Sequence, residues 1–242
     1  MKIDSIVDYE VDMPSSQMIE FPSNGSDARG YLALPDAPAP GVLVIQEWWG
    51  LNAQIKGVAD RLAAEGFAAL APDLYHGDLA GHDEMDKAGE LMTSLPPDRA
   101  ARDMGGAITA LLDNPGVTGD AVGVVGFCMG GMLCLMISAL EGDRVAAAAP
   151  HYGAPLGDGG PDWGGLTAKV RGHFAETDDF FPPDAIAALE GELRAMGKDV
   201  ELKVYAGTGH AFANEEDPLG THDEAAAAQS WGETLELFRS VL

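Results

Sequence analysis

The chain has 242 residues, 46% hydrophobic and 22% charged, a composition ordinary for a globular protein and long enough for one α/β domain with a full core. The charge is not ordinary: 14 basic residues against 39 acidic ones give −25, which argues against nucleic acid and anionic membrane surfaces as partners. No basic stretch followed by an apolar run stands near residue 1, and no run of about 20 apolar residues occurs, so neither a signal peptide nor a membrane span is expected.

The elements follow from hydrophobic period and turn residues. Gln17–Phe21 and Arg29–Leu34 read as two strands joined by a turn at Pro22-Ser23-Asn24-Gly25-Ser26. Residues 35–41 read as a Pro/Ala linker, and Val42–Ile45 as a central strand. Asn52–Glu65 is helical, with Ile55, Val58, Ala59 and Leu62 on one face and Gly66 as its stop. Phe67–Ala71 is the next strand; Asp83–Leu95 and Arg99–Leu112 are helices. Val122, Val124 and Val125 mark a strand buried on both faces. Arg144–Ala149 is a strand, and the Gly/Pro-rich residues 153–165 are expected to form a long surface loop. The strand Val170–Ala175, a helix Pro183–Met196, the strand Val200–Tyr205 and a helix Glu224–Phe238 complete the chain. Strands alternating with helices predict a mainly parallel sheet covered on both faces. No repeat or linker divides residues 1–242, so a single domain is expected.

The turn after the buried valines carries the chemistry. Gly126-Phe127-Cys128-Met129-Gly130 is G-x-C-x-G, the cysteine form of the nucleophile elbow, with the required strand before it and an apolar helix after it. Glycines two before and two after Cys128 let strand and helix pass closely around a strained backbone. Cys128 would stand at a helix N-terminus, whose dipole is expected to favour a thiolate. Cys134, six residues on along one expected helix, would be about 9 Å away, too far for a disulfide, and reads as core. Two free thiols fit a reducing, cytoplasmic setting. Downstream, Asp178 or Asp179 follows a strand, in a position open either to an orienting acid or to a helix cap. His210 lies in the Gly-rich stretch Gly207-Thr208-Gly209 after another strand. The order Cys, Asp, His, each after a strand, is the nucleophile–acid–histidine order of the α/β-hydrolases.

From these pieces the chain resembles the dienelactone hydrolase family. The matching segments are Gln46-Glu47-Trp48-Trp49-Gly50-Leu51-Asn52, Ala71-Pro72-Asp73-Leu74-Tyr75, the cysteine elbow through Gly131, Tyr152-Gly153, Asp178 with Phe180 and Pro182, and Gly209-His210-Ala211-Phe212. They span nearly the whole chain from Phe21 onward. The resemblance implies an α/β-hydrolase fold and cleavage of esters or lactones without a cofactor or metal. It makes Cys128 the nucleophile, His210 the base, Asp178 its orienter, and Glu47 a carboxylate that pairs with the cysteine and helps ionise it. It assigns the oxyanion hole to the backbone N–H groups of Trp48 and Met129. Trp48, Trp49, Tyr152 and Phe180 are expected to line an acyl pocket, with Asn214 beside it.

The departures bear on substrate. Family members that act on the carboxylated lactone hold its carboxylate with two arginines. The segment His82–Met92 offers only Lys87 at one place, and Asn214, followed by Glu215 and Glu216, stands at the other. Lys87, Arg99 and Arg102 are the nearest substitutes in sequence. A carboxylesterase or thioesterase for neutral small esters is therefore the alternative hydrolase. A hydrolase-like binding protein is the non-enzymatic one, which would have no need of Cys128, Asp178 and His210 together. His82-Asp83-Glu84 and His222-Asp223-Glu224 read as solvated helix starts rather than metal ligands. The expected partner is a small ester or lactone, bound by a monomer or small homo-oligomer.

Overall fold

The computed structural model describes residues 15–23 and 25–242. Asn24 of the expected hairpin turn lies outside the described residues, as do residues 1–14 of the expected domain. Eight strands form one sheet: β1 (Ser15–Ser23), β2 (Ser26–Leu34), β3 (Ala39–Ile45), β4 (Ala68–Pro72), β5 (Val117–Phe127), β6 (Val145–His151), β7 (Lys169–Thr177) and β8 (Val200–Gly209). Their spatial order is β1-β2-β4-β3-β5-β6-β7-β8. The β1–β2 and β2–β4 pairs are antiparallel; every other pair is parallel.

The described residues include six α-helices, α1 (Ala53–Ala64), α2 (Met85–Ser94), α3 (Pro97–Leu112), α4 (Met129–Glu141), α5 (Pro183–Ala195) and α6 (Glu224–Val241); all but α2, whose buried Ala88 packs with Trp49, cover the sheet. Alternate residues of β5 show the layering. Val122 and Val124 pack into the core built with α3, α4 and α5, while Val125 and Phe127 face the core built with α1 and α6. Side chains alternate across a strand, so a strand covered on both faces must be apolar at every position. Helix α1 begins where Asn52 accepts the Ile55 N–H at 3.0 Å, and its buried residues are the Ile55, Val58, Ala59 and Leu62 face together with Ala63.

Two expectations are corrected. The stretch 35–41 is not all linker: β3 starts at Ala39, paired with Val117, because a parallel neighbour satisfies its backbone. Residues 153–165 are not wholly a surface loop. Gly153, Ala154 and Trp163 are buried, and a Cβ on Gly153 would overlap the carbonyl of Cys128.

Candidate active site

The parallel strands deliver their C-terminal ends to one edge of the sheet, where ligands of open α/β sheets bind. Cys128 alone separates β5 from α4, with φ 54° and ψ −118°. A non-glycine residue there costs of order 1–3 kcal/mol and persists only where its surroundings over-determine it. The surroundings do so. A Cβ on Gly126 would collide with the Gly130 carbonyl, and a Cβ on Gly130 with the Ile45 and Gln46 carbonyls, so the turn closes tightly against β3. The Cys128 N–H is tied to the His151 carbonyl at 3.0 Å.

Asp178 follows the last residue of β7, and His210 the last residue of β8, which runs on to Gly209 where a loop was expected. His210 Nε2 lies 3.2 Å from Cys128 Sγ, and His210 Nδ1 lies 2.8 Å from Asp178 Oδ2. A carboxylate accepts, so Nδ1 carries the ring proton and Nε2 presents a lone pair to the thiol. Asp178 is held in turn: its Oδ1 accepts the N–H groups of Phe180 and Phe181 at 2.9 and 3.1 Å. Asp179 is exposed. The rings of Phe180 and Phe181 stand 5.0 and 5.8 Å from the His210 ring, shielding it from water.

Glu47, just past β3, is 1% exposed. Tyr152 OH donates to its Oε1 at 3.3 Å and Asn214 Nδ2 to its Oε2 at 2.9 Å. Burial raises its pKa from 4.5 to about 7; His210, Asn214 and Tyr152 pull it down against that burial, and Glu216 pushes it up. Burial likewise pushes the Cys128 thiol well above its usual range, with the Glu47 and Asp178 charges adding to the rise. The Met129 and Trp48 N–H groups face the sulfur and oppose this. The expectation of a resting thiolate is therefore corrected: desolvation and two carboxylates outweigh the α4 dipole, and the resting sulfur holds its proton.

The expected pocket residues separate into three groups. Phe180, 65% exposed, and the partly buried Trp48 stand where a ligand can reach them. Trp49 is buried in a small cluster with Ala80 and Ala88, its ring 4.9 Å from His82, so it backs the cleft rather than lining it. Tyr152 and Asn214 are fully buried against Glu47 and are not free to hold substrate. Two of the candidate cations pair with carboxylates, Lys87 with Glu84 and Arg102 with Asp98; Arg99 gives one nitrogen to the Leu74 carbonyl at 3.3 Å, while its buried Nε has no partner among the described residues. Asp223 caps α6, and His222 Nδ1 bonds the Phe212 carbonyl.

Two contacts went unassigned in the sequence. Tyr75 OH lies 3.4 Å from the Met129 sulfur, bracing a residue whose N–H faces Cys128. Gln46 Oε1 accepts the Leu74 N–H at 3.2 Å, tying the loops after β3 and β4 together. The signal is that Gln46-Glu47 and Pro72-Asp73-Leu74-Tyr75 match motifs of the family.

A strained strand-to-helix turn followed in chain order by an acid and a histidine, on a sheet of this strand order, is the architecture of the α/β-hydrolases. Residues 28–242 match the model of the dienelactone hydrolase family. The chain is 36% identical over 232 residues to "Protein usf" of Aquifex pyrophilus, covering 93% of this chain and 99% of that one. It is 35% identical over 240 residues, with the same coverage, to an Aquifex aeolicus (strain VF5) protein provisionally named carboxymethylenebutenolidase. The crystal structure of a Klebsiella pneumoniae protein, provisionally named a dienelactone hydrolase, superposes with a TM-score of 0.80 at 27% identity, covering 93% of this chain and 99% of that one. The chain belongs to the dienelactone hydrolase family and is a hydrolase of ester or lactone bonds.

Proposed function

We propose that the chain cleaves small, uncharged esters or lactones through an acyl-enzyme on Cys128. The observation that carries this reading is the unbroken relay of Cys128 Sγ, His210 and Asp178, at 3.2 and 2.8 Å. His210 Nε2 takes the thiol proton as the sulfur attacks the acyl carbon. The N–H groups of Trp48 and Met129 receive the oxyanion, and Asp178 stabilises the imidazolium. His210 then gives the proton to the leaving oxygen. Water, deprotonated by His210, cleaves the thioester and releases the acid. Glu47, titrating near 7 beside a thiol whose proton is firmly held, is a group through which that one proton can pass to His210; neutral while it holds the proton, it no longer opposes the thiolate.

The preference for uncharged substrates rests on charge. Lys87 pairs with Glu84, Arg102 with Asp98, and Arg99 reaches the Leu74 carbonyl, while Glu47 and Asp178 surround the sulfur. A substrate carboxylate would lose hydration with no cation in exchange, costing about 1–3 kcal/mol or more. The exposed Phe180 ring suits an apolar acyl or alcohol group instead. The test is iodoacetamide labelling followed with p-nitrophenyl acetate hydrolysis. Cys128 is expected to label first and activity to fall in proportion. Full activity with Cys128 blocked would refute the role, and an unreactive Cys128 without hydrolysis would favour a binding protein on a hydrolase fold.

A further inference from the structure

A second cavity of about 550 Å³ opens between the N-terminal halves of α1 and α6, a volume in the range that holds drug-sized ligands. None of Cys128, Asp178, His210 or Glu47 lines it. Its buried lining includes Phe127 and His151, which flank the elbow: Phe127 precedes Cys128, and the His151 carbonyl accepts the Cys128 N–H.

Two residues of this lining carry an acceptor without a partner. His151 is 1% exposed, and its Nδ1 lies 3.2 Å from the Ala149 carbonyl. Only an N–H can pair with a carbonyl, so Nδ1 is the donor and Nε2 carries a lone pair, which meets no hydrogen-bond donor among the described residues. Burial holds this ring neutral, with a pKa of about 4. On α1, Gln54 Oε1 is buried and likewise without a partner. An acceptor left unpaired on burial, as Gln54 Oε1 is, destabilises the protein, and a donor from a ligand recovers the loss. The rim carries Glu215, Glu216 and Glu224. Arg61, the one Lys or Arg in the lining, is spent: its guanidinium lies 4.3 Å over the Trp231 ring and 2.7 Å from Glu215. Phe127, Val58, Ala227 and Trp231 supply apolar surface.

We propose that this cavity is an accessory binding site for a small organic ammonium ion with an apolar body. Its N–H groups meet His151 Nε2 and, with the Gln54 side chain turned into the cavity, Gln54 Oε1, and its body lies against Phe127, Val58 and Ala227, beside the Trp231 ring that Arg61 covers. The net charge of −25 draws such cations towards the surface. The site is independent of whether Cys128 is the nucleophile.

The test uses three matched probes, 4-phenylbutylamine, 4-phenylbutan-1-ol and 4-phenylbutanoate, titrated calorimetrically into the full chain. The indole N–H resonances are followed in parallel, with Trp231 assigned from Trp231→Phe. The amine is expected to bind one to one, about tenfold or more tighter than either control, and to move the Trp231 resonance while leaving Trp48 in place. Gln54→Leu, on the partly exposed first turn of α1, should weaken the amine about tenfold, and Glu224→Gln about threefold. Equal affinity for amine and carboxylate overturns the proposal. So does amine binding that moves Trp48 instead of Trp231, wild-type affinity in both variants, or no binding at millimolar amine.

Discussion

Asn214→Ala tests how the second carboxylate is controlled. Asn214 Nδ2 donates to Glu47 Oε2 at 2.9 Å inside the protein, and that bond favours the ionised carboxylate. A hydrogen bond to a charged group contributes about 1.5–3 kcal/mol, and about 1.4 kcal/mol moves a titration midpoint by one pH unit. Removing the amide therefore carries the Glu47 midpoint from about 7 to roughly 8–9, since among the described residues Tyr152 is left as its side-chain donor. At pH 7 the ionised fraction falls from about one half to about one tenth or less, so a rate that needs this base falls about five- to fiftyfold. The assay is the pseudo-first-order rate of Cys128 alkylation between pH 5.5 and 9.5 in wild type and variant. The rising limb should move up by 1–2 pH units in Asn214→Ala, and the rates should converge at high pH. An unmoved limb, or one displaced to lower pH, would refute the claim that Asn214 sets the ionisation of Glu47.

Other outcomes follow from the same geometry. Asp178→Asn removes the acceptor that fixes the His210 tautomer and should cost about a hundredfold or more in kcat/KM, whereas the exposed Asp179→Asn should stay within about twofold; the steady-state ratio of the two decides it. Glu47 titrates near 7 folded against 4.5 unfolded, so its contribution is fully present below about pH 4.5 and is lost as pH rises through about 7, to a total of about 3 kcal/mol. Glu47→Gln should thus match wild type in urea unfolding at pH 4 and exceed it by up to about 3 kcal/mol at pH 8, while losing activity; equal stability at both pH values would contradict the burial of an ionised carboxylate. A neutral ester should beat a size-matched anionic one by about tenfold or more in kcat/KM, and Asn214→Arg should not reverse this, because position 214 is filled and bonded to Glu47; a wild-type preference for the anion at every salt concentration would show that a cation reaches the pocket.

How legible the chain was depended on how local each signal is. The valines of β5, the apolar face of α1 with its Gly66 stop and the glycines around Cys128 act within a few residues, and the sequence pattern places all three. The ends of strands are set by partners instead. Ala39 joins β3 because Val117 lies beside it, and β8 runs on to Gly209 because Thr177 pairs there, neither visible in local composition. Glu47, Tyr152 and Asn214 meet across 105 and 167 residues of chain, so the motifs marked Tyr152 and Asn214 as important while misassigning them to a substrate pocket. The protonation of Cys128 is hidden from the sequence for a related reason. A helix N-terminus can be seen in sequence, but the desolvation and the two carboxylates that outweigh it exist only once the fold is assembled. Gly153 was read as loop from its neighbours, yet it is buried because the Cys128 carbonyl needs the room a side chain would take.

The most direct measurement of the central claim is the mass of the protein during turnover. Rapid acid quench with p-nitrophenyl acetate in excess, followed by peptide mapping, should find one acetyl group on the peptide carrying Cys128, formed at the rate of the p-nitrophenol burst and absent in Cys128→Ala. Turnover with no acyl group on Cys128 at any quench time, or undiminished turnover in Cys128→Ala, would contradict a cysteine acyl-enzyme.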